Sequence, residues 1–134
     1  VKVPENLTDL IESLLVRRVV DLISLCRKAN SAVMGYEKVK DWLQSGKARV
    51  LVQASDGSER GKTKLRAPEG EGHFIGLLTA GEMGLAFGRE RAIHAALGAG
   101  GLTTRVVEEA ARLSGLRIAQ TDMQDGGTPA MKDM

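Results

Sequence analysis

Apolar residues at Leu7, Leu10, Ile11, Leu14 and Leu15 recur at helical spacing, and Val19, Leu22, Ile23 and Cys26 carry the run onward. Together they predict a long first helix beginning at Leu7, with Asn6 as its N-cap and one continuous apolar face. The pair Arg17–Arg18 is read as a bend between a short lead helix and a main one. Ala29, Asn30 and Ser31 form a small-residue turn, and Val33–Met34 is a short apolar pair. Gly35 then opens a second helix, which closes at Ser45–Gly46. Ala48–Ala54 is apolar and rich in β-branched residues, as a buried strand is. Ser55–Ser58 reads as a turn that also caps a short, very basic helix over Glu59–Arg66, and Pro68–Gly72 reads as a loop. His73–Leu78 is a second strand. Thr79, with Glu82 three residues on, predicts a capping box for a helix through Phe87. Gly88–Arg91 is a charged turn, Ala92–Leu97 a third full strand, and Leu102–Leu113 the last helix.

Helices alternating with short apolar segments predict a three-layer α/β/α sandwich around a central mixed sheet of about four strands. The domain is placed at residues 1–115. Residues 116–134 are polar, carry Gly126–Gly127 and Pro129, and read as a disordered tail.

Charge sharpens this picture. Between Cys26 and Arg91 there are 12 Lys/Arg and 8 Asp/Glu, a net of +4, whereas the two flanks together carry 7 basic and 9 acidic residues, a net of −2. The basic middle fits a polyanion partner. Aromatics are only 3% of the chain, so single strands held on stacked aromatic platforms are not expected. The one cysteine, Cys26, lies on the apolar face of the first helix and reads as a small hydrophobe in a reducing compartment. No run approaches the roughly 18 apolar residues of a membrane span, and no signal-peptide pattern is seen, so a cytoplasmic location is expected.

Enzyme chemistry is not visible. His73 and His94 fall at or inside strands, Asp56 and Glu59 are explained by a turn and a helix cap, and the glycines at 81, 84 and 88 match no phosphate loop. With a single cysteine no zinc cluster forms. No cofactor and no metal site are expected. The strongest chemical feature is the start of the second helix. Unpaired N–H groups and a positive partial charge make a helix N-terminus a natural anion site, and here Arg27, Lys28, Lys38 and Lys40 surround one that opens on a glycine.

Three segments carry a resemblance: LCRKANSAVMGYEKVKDWLQSGKARVLVQASD, SERGKTKLRA and EMGLAFGRERAI. In their order and spacing, from about Leu22 to Leu113, the chain resembles the ribosomal kink-turn-binding protein superfamily, which includes the seven-Ae and thirty-e proteins of the large subunit. It is most similar to the bacterial form that follows a YlxR domain in one polypeptide. Since the chain opens at Val1 with no initiating methionine, such a YlxR-like part is expected before it. The resemblance implies a non-catalytic module for structured RNA, of the ribosome or kink-turn-like, in transcription termination or translation. By position, the implied RNA contacts are Lys28, Asn30, Gly35, Tyr36, Glu37 and Lys38, then Phe87, Gly88, Arg89 and Glu90, with Arg27 added from its charge. Where archaeal and eukaryotic kink-turn binders have Asn–Glu after a Gly–Ala, this chain has Glu37–Lys38 after Gly35–Tyr36. A lysine cannot accept a hydrogen bond from a guanine edge, so the expectation is RNA binding in general. Two other roles fit the same elements: a protein-interaction module, and the RNA-recognition domain of an RNA-modifying enzyme.

Overall fold

In the computed structural model, which describes residues 3–56, 65–69 and 73–125, the chain opens with one unbroken helix, α1, over Val3–Lys28. Asn6 therefore lies within the helix and does not cap it. No break occurs at Arg17–Arg18, since arginine is a good helix former and neither residue disrupts the backbone. Arg17 pairs with Asp21 one turn on at 3.6 Å, and Arg18 with Glu109 of the last helix at 3.8 Å. The single apolar face is also corrected. Leu7, Leu10, Ile11 and Leu14 are 41–56% exposed, whereas Val19, Leu22, Ile23 and Cys26 are at most 7% exposed. Equivalent members of the two sets are 12 residues apart. At 3.6 residues per turn that separation rotates the second set roughly 120° from the first.

Asn30 ends α1. It sits at φ 62°, its N–H donates to Arg27 O at 3.0 Å, and the N–H of Ser31 reaches Cys26 O at 2.7 Å. This is a Schellman closure with asparagine in the left-handed position. The chain enters strand β1 (Ala32–Met34), which the sequence showed only as an apolar pair, and then helix α2 (Tyr36–Ser45). Gly46, at φ 80°, closes α2 in the same way, with the N–H of Lys47 on Trp42 O at 3.0 Å.

Strand β2 is Val50–Gln53. The basic helix expected over Glu59–Arg66 falls mostly outside the described residues; Leu65–Pro68 has no regular structure. Strand β3 is only Phe74–Ile75, shorter than the expected His73–Leu78. Beyond Ile75 the chain leaves the ladder, and Leu78 O instead accepts from the N–H of Ser55 at 2.8 Å. Helix α3 (Ala80–Phe87) carries the expected Thr79–Glu82 capping box. Asp56 supplies a second cap from a distance: its carboxylate accepts from the N–H of Ala80 at 2.8 Å. Strand β4 is His94–Leu97, since the N–H of Ala92 is taken by Ala80 O at 3.0 Å. Helix α4 runs from Gly101 to Asp125, past the Leu113 at which it was expected to end; residues 126–134 of the expected tail lie outside the described residues.

The sheet order is β1-β4-β2-β3, with β4 antiparallel to both β1 and β2, and β2 parallel to β3. Period-two alternation divides its side chains between two cores. Val50, Val52, Ala95 and Leu97 face α1, α3 and α4, and Leu51 and Ala96 face α2 with Val39. The result is a three-layer α/β/α sandwich with a four-stranded mixed sheet. Among the described residues no helix is long and apolar enough to cross a membrane.

Candidate functional site

Three chain segments converge at one edge of the sandwich. The last turn of α1 brings Arg27, the first turn of α2 brings Lys38, and the segment after α3 brings Arg89. They border a groove of about 180 Å³ floored by Ala32, Val33, Met34 and Phe87. Local rules build each wall. Gly35 has φ 99° and ψ 145°, a conformation open to glycine, and its N–H donates to His94 O at 2.9 Å. That bond ties the start of α2 to β4 and directs the first turn outward. No side chain caps α2, whose first turn carries Lys38.

The opposite wall depends on two glycines. Gly88 is left-handed at the end of α3, and a Cβ built there would lie 3.7 Å from Nη1 of Arg27, so the Arg27 guanidinium crosses the glycine directly. Gly84 lets the chain double back: the N–H of Arg89 donates to Gly84 O at 2.9 Å, and a Cβ on Gly84 would come within 2.5 Å of Arg89 O. Sequence reading set these glycines aside because their spacing matched no phosphate loop. Their use is to seat the Arg89 segment, and the spacing of one helical turn from Gly84 to Gly88 was the available signal.

Among the described residues, no ion pair engages Arg27, Lys38 or Arg89; the pairs present join Arg17–Asp21, Arg18–Glu109 and Arg112–Glu109. Three cations that form no ion pair among the described residues, around an apolar floor, can hold an anion, with arginine gripping two oxygens at once.

The other expected contacts divide. Lys28, Glu37 and Glu90 are exposed beside the groove without lining it. Asn30 is exposed and serves as the turn that ends α1. Tyr36 turns inward, its ring edge-on to His94 at 5.7 Å, and Phe87 is 4% exposed within the larger core. His94 is itself buried beside Gln53, whose Nε2 lies 3.3 Å from its Nδ1. Burial pushes the Cys26 thiol up from its ordinary range, with Thr103 partly offsetting it, so the thiol stays neutral near pH 7. Among the described residues no cluster of three His, Cys, Asp or Glu is placed to hold a metal ion.

No family model matches the chain, and no curated protein matches it. Solved structures do. A Bacillus halodurans protein of unknown function superposes with a TM-score of 0.57 at 17% identity, covering 69% of this chain and 95% of that one. A 15.5 kD RNA-binding protein from Giardia lamblia superposes with a TM-score of 0.52 at 16% identity, covering 76% of this chain and 89% of that one. At these identities the likeness is one of fold.

Proposed function

We propose that this chain is a non-catalytic RNA-binding domain that grips the backbone of structured RNA with Arg27, Lys38 and Arg89. The observation carrying this reading is the convergence of those three cations, from three separate segments, on one groove. The shared fold with an RNA-binding protein and the segments around Gly35 and Gly88 support it further. The buried, neutral Cys26 and the enclosed His94 favour a binding role over catalysis. The finer reading is a kink-turn-like or ribosomal RNA, bound in the cytoplasm by the part of a YlxR-type protein that follows its YlxR domain. Tyr36 and Phe87 face inward, so they act by holding the groove's walls, and contact with RNA falls to the exposed cations.

Titrating the chain with structured hairpin and kink-turn RNAs at two salt concentrations tests this. Affinity should fall with salt on a log–log slope of about −2 to −3, as three phosphate contacts require. Arg89→Ala and Arg27→Ala should each weaken binding about tenfold and make the slope shallower by about one. A parent that binds no RNA at low salt would defeat the proposal.

A further inference from the structure

Between α1 and α3 runs a groove of about 320 Å³, floored by Val16 and Val20 and walled by Leu85, which is 70% exposed. One turn ahead of Leu85 on α3 stands Gly81, also exposed. The fold does not require a glycine there. A Cβ built on it would meet only the Thr79 hydroxyl, at 3.9 Å, which is ordinary contact. Alanine would favour the helix. Among the described residues nothing fills that space, so Gly81 leaves a bare step beside the one bulky apolar side chain on this face.

The charges around the groove are mostly of one sign. Glu12 and Glu82 line it. Asp9 is exposed and, seven residues ahead of Val16, lies nearly in line with it on α1. The cation that lines the groove, Arg17, is held by Asp21 of its own helix at 3.6 Å. Two copies of this face would set acid against acid, so the occupant is a different chain. We propose that the α1–α3 groove docks an amphipathic helix of a partner protein, its apolar stripe flanked by lysine and arginine.

A cleft between two helices takes a third by seating a ridge of its side chains. The partner's anchors would recur at helical spacing, with its cations against Asp9, Glu12 and Glu82. Ser13 to Val20 spans about 10 Å, enough to seat about two turns. The docking does not depend on the RNA reading, and it leaves the RNA groove open. Arg17 lies ten residues from Arg27, about 15 Å along α1. The two grooves are opposite in sign, so a basic helix is drawn to one and repelled by the other.

Fluorescence anisotropy of the 134-residue chain with two labelled peptides tests the proposal. One peptide carries leucines at helical spacing and lysines elsewhere; the other has glutamate in place of every lysine. The lysine peptide should bind at least about tenfold tighter, and added salt should narrow the gap. Leu85→Ser and Gly81→Leu should each weaken the lysine peptide about tenfold, the first by removing an apolar wall and the second by filling the step. Both should keep the parent's circular dichroism, since both positions are exposed. Asp9→Lys combined with Glu12→Lys should reverse which peptide binds tighter. The proposal is overturned by peptides that bind equally or not at all, by a lysine peptide that keeps its affinity for both Leu85→Ser and Gly81→Leu, or by a parent that self-associates through Leu85, which would give the groove to a second copy.

Discussion

Leu7, Leu10, Ile11 and Leu14 have the same spacing as Val19, Leu22, Ile23 and Cys26, and both sets lie on one unbroken helix. The first set faces solvent and the second is sealed under α3, α4 and the sheet. Spacing within a quartet reveals that a helix has an apolar stripe. It does not reveal what covers the stripe, which depends on the phase between one stripe and the next. Seven or eleven residues would have kept the two nearly in line; twelve does not.

The sharpest way to break this comparison is to remove the same atoms from each set. Ile23→Ala should destabilise the fold by about 2–5 kcal/mol, because it opens a cavity under the sheet. Ile11→Ala, measured in dilute protein, should stay within about 0.5 kcal/mol of the parent. Equal losses in urea denaturation would mean that both stripes are covered. Next in size is the end of the buried half. Asn30→Val should lower stability by about 1–2 kcal/mol, since a β-branched residue resists φ 62°, while Asn30→Gly should leave it nearly unchanged. If both behave alike, the left-handed closure is not what stops α1.

Cys26 sharpens the contrast through pH. Its folded thiol ionises above the ordinary value of 9.0, because burial penalises the thiolate. The resulting stability is intact below that value and falls as pH rises past it, when only the unfolded chain releases its proton. Stability should fall as pH rises past about 9, and Cys26→Ala should flatten that slope. The smallest change separates the two halves by reactivity alone. In a Cys26→Ala background, Leu14→Cys should react with a disulfide reagent at the rate of an unfolded thiol and shift stability little, whereas native Cys26 should resist the reagent until the chain unfolds. Slow labelling of Leu14→Cys would place that stripe under cover.

Where local chemistry decided the outcome, the sequence was readable. Thr79 and Glu82 announced their capping box, and Gly35 and Gly46 bounded α2 as placed, because each acts on its own neighbours. What escaped depended on distant partners. Asp56 was read only within its own turn, yet its carboxylate accepts from the N–H of Ala80 in a distant element. His73–Leu78 had the composition of a full strand, but Leu78 O bonds to Ser55 outside the ladder. The cations of the groove were named from sequence. Of its floor only Phe87 was, since Val33 and Met34 became a strand only by pairing with Ala96 and Ala95 of β4. Residues 116–134 read as a tail, yet α4 runs on to Asp125.

Gly84 has a consequence in time as well as in space. Because the backbone of Arg89 and Glu90 fills the volume a side chain would take, the arginine-bearing wall of the groove is fastened to α3 along its length. It can swing away only if α3 itself opens. The amide of Arg89 should therefore exchange its hydrogen at the pace of the α3 interior, far slower than an exposed loop amide. A ligand would meet one stretch of backbone already fixed, and any adjustment to its shape would be left to the exposed side chains of Arg27, Lys38 and Arg89.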